Sequence, residues 1–369
     1  MAYKVPFVDS KRNYQMFKEE LDAAYFEVME KGDLIMRGQL DSFEKNLAEF
    51  VGTKYAVGLN SGYDALQISL RACGIGEGDE VICPAHTFVA SCSAIVNAGA
   101  TPVLVDVAAD FNIDVNLIES AITSKTKGIM AVSLSGMPAD MPRIMEIAQK
   151  YNLKVVEDSC QSLGASINGK MIGSFGDTGC WSFYPFKILG GYGDGGAITT
   201  NDKSIAEYAT LMRYNGEDRN SGEYYYHGYT CLLDNMQAAF LDVKLKHLKE
   251  WIVRRKQIAQ MYFDGLHDLK DLMLPQKNER EGFDHIYQNY TLRAKQGNEF
   301  SDYLKANGVE VLTQFRKPYY KHEGLKLKDT GFLETEALSR EVCSLPMNVE
   351  IYDDEVRYVI ETVRSFYGE

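Results

Sequence analysis

Positive charge is scarce in this 369-residue chain: 39 lysines and arginines stand against 52 aspartates and glutamates, for a formal net charge of −13. Nucleic acid needs a basic face that this balance does not supply, so no such partner is expected. A phosphorylated small molecule is not excluded, because it needs only a local pocket. Apolar runs long enough to span a bilayer are missing, so no membrane partner is expected. The start, MAYKVPFVDSKRNY, lacks the apolar core of a secretory leader, and the chain reads as cytoplasmic. The seven cysteines form an odd set without a C-x-x-C pair and read as reduced thiols packed as small hydrophobes. The six histidines make no H-x-H or H-x-x-x-H cluster, so no metal is expected. Internal repeats and low-complexity tracts are absent too.

What is present is alternation. Between about residues 50 and 200, β-rich runs (KYAVGL, DEVICPA, TPVLVDV, GIMAVSL, LKVVED, GCWSFY, GGAITT) are separated by amphipathic stretches at 63–73, 116–123 and 141–152. That pattern predicts an α/β layer with a mostly parallel sheet covered on both faces. Residues 234–266 read as one long helix or two joined helices, apolar at three- and four-residue spacing and free of proline. The remainder predicts a small α+β domain with strands in NYTLRA and VEVLTQF, a helix in NEFSDYLKANG and a closing helix after SLPMN. The domain boundary is drawn between 250 and 251, giving a large domain of 1–250 and a small one of 251–369. The tyrosine-rich stretch EYYYHGY at 223–229 reads as a loop.

In such sheets ligands gather beyond the carboxyl ends of the strands, so the residues there carry the functional reading. Lys187 lies in WSFYPFKILGGYGDGG, between a buried run and a loop with five glycines. Burial makes a neutral, nucleophilic amine accessible, of the kind that forms Schiff bases; a lone lysine after a strand is otherwise simply solvated. Asp158 closes the run LKVVED. An enzyme using pyridoxal phosphate needs a carboxylate against the pyridine nitrogen, and Asp158 stands where one would be placed. After KYAVGL comes Asn60-Ser61-Gly62 and then a helix, either a plain N-cap or a phosphate cradle of backbone N–H groups, to which Ser182 adds a hydroxyl. Phe88, just past another strand, is either a core ring or one that stacks on a flat cofactor. Each signal is weak alone; their order along the chain, cradle, ring, carboxylate and lysine, is the informative feature.

Taken with NSGYDAL, GDEVICPAHTFVAS, GATPVLVDV, VVEDSCQSLGA, GSFGDTGCWSFYP, GDGGAITT, LDNMQAA and SLPMN, the chain resembles the sugar aminotransferases of the DegT/DnrJ/EryC1/StrS family over nearly its whole length. The resemblance implies a fold-type I α/β enzyme with a large domain built on a mostly parallel seven-stranded sheet flanked by helices, plus a small C-terminal α+β domain. It implies pyridoxal 5′-phosphate carried by Lys187, with Asp158 on the pyridinium, Gln161 by the ring hydroxyl and Phe88 on the ring face. Ser61, Gly62, Tyr63 and Ser182 would hold the phosphate. It also implies a homodimer with shared active sites, Thr230 reaching the partner's phosphate, and transfer of an amino group from L-glutamate or glutamine to a keto group of a nucleotide-linked deoxysugar. The products would serve surface glycans or glycosylated metabolites.

The chain departs from the family pattern in several places. Tyr63 stands where threonine is usual, and Ile188 follows the lysine where asparagine is common. Thr230 and Leu232 replace an asparagine and an arginine, and Tyr320 takes a histidine position. These changes keep open a non-nucleotide keto substrate, such as a keto-cyclitol or a small keto-phosphate. A non-catalytic binding or regulatory protein on the same fold is the remote alternative. Arg316 and Lys317, added near the small domain, either meet a nucleotide diphosphate or lie in a solvated loop.

Overall fold

The computed structural model describes residues 3–275, 280–329 and 331–368. Its centre is a seven-stranded sheet in the order Tyr55–Leu59, Gly196–Thr200, Thr178–Ser182, Lys154–Asp158, Thr126–Val132, Glu80–Pro84, Thr101–Val105. Gly196–Thr200 runs antiparallel to both neighbours and every other pairing is parallel. Successive residues of each strand point to opposite faces, and both faces are apolar here: Ile129, Val155, Trp181 and Ala197 enter one core, Met130, Val156, Cys180 and Ile198 the other. This two-sided burial is why the strands read as unbroken apolar runs.

Helices Gly38–Val51, Met141–Tyr151 and the first half of Asn235–Leu266 cover the first face; Gly62–Ala72, Val89–Asn97 and Lys203–Met212 cover the second. Their ends have local causes. Ser61, Asp140 and Asp234 each accept a backbone N–H from the first turn, and Asn152, in the left-handed region at φ 53°, ends Met141–Tyr151.

Asn235–Leu266 is one continuous 32-residue helix. Leu241, Leu248 and Trp251 pack into the large core, while Ile258, Tyr262 and Leu266 pack into a separate core with Leu292, Phe300, Leu345 and Val359. The position 250/251 therefore falls inside a helix shared by both cores. Val5 belongs to the second core and pairs with Val309.

That second core lies against a three-stranded antiparallel sheet of Leu272–Met273, Tyr290–Ala294 and Val342–Leu345. NYTLRA, the helix Gly297–Ala306 and the closing helix Asp353–Phe366 appear where expected. VEVLTQF does not form a ladder strand. It touches its neighbours at single bridges, Val5 with Val309 and Leu312 with Ser344, and Phe315 turns out of line at φ 62°, so it meets Val342–Leu345 at one point without extending the sheet. Within EYYYHGY, Glu223–Tyr224 pairs with Glu217–Asp218 as a short hairpin that leaves Tyr224, Tyr225 and Tyr226 exposed.

No helix among the described residues is long and apolar enough to cross a membrane. All seven cysteines are free, five of them buried, and no group of three or more potential metal ligands occurs among the described residues.

Candidate active site

One edge of the large sheet gathers the residues that follow the strand ends into a cleft of about 320 Å³. Ser61, Gly62 and Tyr63 come from beyond Tyr55–Leu59, Thr87 and Phe88 from beyond Glu80–Pro84, and Ser133 and Leu134 from beyond Thr126–Val132. Asp158 and Ser182 are the last residues of their strands, and Gln161 and Lys187 complete the wall. Eight of the nine residues singled out from the sequence thus meet in one cavity. The ninth, Thr230, lies outside it; it is exposed and its hydroxyl donates to Asn215 Oδ1 at 2.7 Å.

Glu157 and Asp158 divide their tasks by the alternation of the strand. Glu157 points away from the cleft, is fully buried, and accepts backbone N–H groups from Gly173, Phe175 and Gly176, each at 2.7 Å. Burial pushes its pKa up to about 7 against those bonds. Asp158, 6% exposed, faces the cavity. Its Oδ2 accepts from Ser91 Oγ at 2.6 Å, its Oδ1 from Cys160 N at 3.3 Å, and it forms no ion pair among the described residues. Ser91 Oγ in turn lies 3.0 Å from Thr87 Oγ1. A buried carboxylate without a cation, opening on a cavity, is suited to a protonated ring nitrogen.

Lys187 is not at a strand end. The strand stops at Ser182, and Lys187 sits in a turn closed by its own N–H donating to Tyr184 O at 2.8 Å. Packing around the side chain pulls the pKa below lysine's usual value, with Cys160 and Asp158 pulling the other way. This is the environment that makes a neutral amine accessible. Cys160, which also lines the cleft, has its thiol pushed well up by burial and stays protonated.

Where the helix Gly62–Ala72 opens on the cavity, a phosphate fits. Gly62 and Tyr63 begin the helix Gly62–Ala72, where backbone N–H groups and the helix dipole favour an anion. A Cβ on Gly62 would come within 2.8 Å of both Cys160 Sγ and Ser182 Cβ, so only glycine allows this close approach. Ser182 Oγ accepts a long 3.4 Å bond from Tyr184 N, leaving its proton available. Two hydroxyls are committed elsewhere. Ser61 Oγ caps the helix, accepting from Asp64 N and donating to Asp64 Oδ2, and Tyr63 OH accepts from Asn97 Nδ2.

Phe88 exposes 57% of its surface beside the cavity, enough for a flat ring to stack on it. Gln161 Oε1 accepts from Ser135 N at 2.9 Å, which turns the amide so that its NH₂ can donate. The residues present therefore fit pyridoxal phosphate: Gly62, Tyr63 and Ser182 would hold its phosphate, Phe88 would cover the ring, Gln161 would lie by the ring hydroxyl, Asp158 would meet the ring nitrogen and Lys187 would meet the carbonyl carbon.

Sequence reasoning missed Ser91, Thr87, Asp194, Gln314 and Phe315, all of which line the cavity or bond to a residue that does. None has a local pattern that separates it from an ordinary helix or loop residue. Tyr320 is 3% exposed and packs on Phe332, and Arg316 donates to Gly297 O and Ser301 Oγ. Thr87, Phe88, Gln314 and Phe315 also border a second chamber of about 720 Å³, which Arg316, Lys317 and His322 help to line.

The model of the DegT/DnrJ/EryC1/StrS aminotransferase family matches residues 15–364, and the chain belongs to that family. It is 37% identical to the pleiotropic regulatory protein of Geobacillus stearothermophilus, over 98% of each chain. It is equally identical to the dTDP-3-amino-3,4,6-trideoxy-alpha-D-glucose transaminase of Streptomyces venezuelae, over 98% of this chain and 96% of that one. The solved structure of S. venezuelae DesV in complex with ketimine intermediate superposes with a TM-score of 0.95, at 37% identity and full coverage of both chains.

Proposed function

We propose that the protein moves an amino group from L-glutamate or glutamine to a keto group of a nucleotide-linked deoxysugar, using pyridoxal phosphate, in a pathway of amino-sugar synthesis. The observation that carries this reading is the pairing, in one cleft, of the buried carboxylate Asp158 with the half-buried amine Lys187, whose pKa desolvation lowers. When bound, pyridoxal phosphate supplies an electron sink for the substrate carbanion and a temporary carrier for the amino group. Asp158, held by Ser91, would keep a proton on the ring nitrogen. Lys187 Nζ would move the proton between the substrate carbon and the cofactor's carbonyl-derived carbon, a role for which a lowered pKa suits it. Phe88 covers one face against water.

The 720 Å³ chamber beside Phe88 and Phe315 supports a substrate larger than a keto acid, since a nucleotide-linked sugar needs room beyond the reacting carbon. The S. venezuelae transaminase bears a name of that substrate class. We further infer a cytoplasmic homodimer in which Thr230, exposed and outside its own cleft, serves the partner's site, with the second core, entered at Ile258 on the shared helix, forming the smaller domain. A second reading, a keto substrate without a nucleotide, draws on Leu232 in place of a charged side chain and on the engagement of Arg316 with Gly297 and Ser301.

The test is the visible spectrum of the purified protein before and after L-glutamate, followed by a panel of keto acceptors. Loss of the yellow band with glutamate and turnover of a nucleotide-linked keto sugar are expected, and Lys187→Ala should abolish both. Exclusive use of an acceptor lacking the nucleotide would select the second reading. A colourless protein that pyridoxal phosphate cannot restore would reject the enzyme assignment in favour of a binding or regulatory role.

A further inference from the structure

Lys187 has no regular element beneath it. It lies between the strands Thr178–Ser182 and Gly196–Thr200, in a loop that continues through Gly190, Gly191, Gly193 and Gly195. A glycine-rich loop by itself gives a reacting side chain a poorly defined origin, and catalytic precision then depends on what grips the backbone.

Gln288 supplies that grip. It is 4% exposed and arrives from the segment beyond the long helix, about a hundred residues later in the chain. Its Oε1 accepts the N–H of Ile188 at 2.7 Å, and its Nε2 donates to the carbonyl of Phe186 at 3.0 Å. Those two groups belong to the peptide units on either side of the Lys187 Cα. One acceptor and one donor at that spacing is what a primary amide offers and a carboxylate does not.

Gln288 is itself held. Arg255, on the long helix and 6% exposed, donates through Nη1 to the carbonyls of Tyr287 at 2.9 Å and Gln288 at 3.0 Å. From the other side Gly136, at φ 89°, lets the 134–136 turn close on this backbone: a Cβ there would come 2.6 Å from Gln288 N. The Lys187 loop has a further tie to the helix, since Lys244 Nζ donates to Gly190 O at 2.8 Å.

We propose that Gln288 is a positioning residue for Lys187, clamping both flanking peptide groups so that only the lysine side chain moves during turnover. The inference rests on the reading of Lys187 as the residue that carries the cofactor. Since Gln288 follows the long helix, the clamp also makes the placement of the lysine depend on the seating of the C-terminal part of the chain against the large sheet.

Two variants test it in the full-length protein. Gln288→Met keeps the length and removes both bonds; Gln288→Glu keeps the acceptor for Ile188 and loses the donor to Phe186. Three quantities are read: kcat and KM for L-glutamate, the rate at which apoprotein develops the visible band with pyridoxal phosphate, and the pH midpoint of that band. Q288M should lower kcat about 10- to 100-fold with KM within about threefold, because a small misplacement of a reacting group has that effect. It should also slow development of the band and shift its midpoint, with Q288E in between. Far-UV circular dichroism identifies folded protein, and Q288E carries the test if Q288M does not fold. Wild-type rates and an unmoved midpoint in a folded variant would overturn the clamp, as would activity that falls only in step with the folded fraction. Wild-type protein that takes up no pyridoxal phosphate would instead overturn the reading of Lys187, and the clamp with it.

Discussion

Ser91 Oγ donates a 2.6 Å hydrogen bond to Asp158 Oδ2, linking the first turn of the helix Val89–Asn97 to the last residue of the strand Lys154–Asp158. The bond orients a carboxylate that has no cation partner among the described residues and leaves its Oδ1 to the Cys160 N–H.

Removing that orientation should show first in catalysis. Ser91→Ala deletes a buried bond to a charged acceptor, an interaction of about 1.5–3 kcal/mol; we expect about a tenfold fall in kcat with the fold retained. Asp158→Asn removes the charge and should reduce kcat by about 10²- to 10³-fold. Steady-state kinetics on both variants checks the order, and an S91A enzyme as impaired as D158N would contradict it.

Gly62→Ala tests the phosphate end. The added methyl meets Cys160 Sγ and Ser182 Cβ at 2.8 Å, a clash in a packed region that costs about 1–3 kcal/mol. Weaker pyridoxal phosphate binding and a lower unfolding free energy should appear together. Combining it with Cys160→Ala relieves one of the two contacts and should recover part of each.

Tyr63→Phe should do little. The hydroxyl is engaged by Asn97, away from the cradle, so cofactor affinity measured by absorbance titration should stay within about twofold, and stability within the ~0.5–1.5 kcal/mol of one hydrogen bond. A loss of tenfold or more in affinity would place the hydroxyl on the phosphate.

Glu157 governs a pH dependence. Its folded pKa of about 7 lies above the ordinary 4.5, so between those values the folded state binds more protons than the unfolded state. Its contribution to stability is therefore complete below pH 4.5 and is lost as pH rises through 7. In Glu157→Gln that dependence is gone, and one of the three backbone N–H groups loses its acceptor, at about 1–3 kcal/mol. Chemical unfolding of both proteins from pH 4.5 to 8 should show the wild-type advantage greatest at the acid end. His86, whose pKa is lowered by burial to about 4, is common to both curves and cancels in their difference.

Much of the architecture was legible because its causes are local. Two-sided burial forces each central strand to be an apolar run, and the helix starts at Ser61 and Asp234 follow from side chains that accept a nearby N–H. The failed strand VEVLTQF had the right composition, but composition does not say how far a segment pairs, and it meets Val342–Leu345 only at the Leu312–Ser344 bridge. At the site, residue type was legible and commitment was not: Ser61 and Tyr63 carry hydroxyls that the fold engages elsewhere.

By itself the sequence determined the two-sided sheet, the long helix, and the order of cradle, ring, carboxylate and lysine, because each depends on periodicity or on neighbours a few residues away. Tertiary structure alone decided that Ser91 would orient Asp158 across 67 residues and that Gln288 would grip the peptides around Lys187 across about a hundred. Those bonds form only where folded elements converge, and buried amides and hydroxyls leave no periodic trace in the chain that carries them.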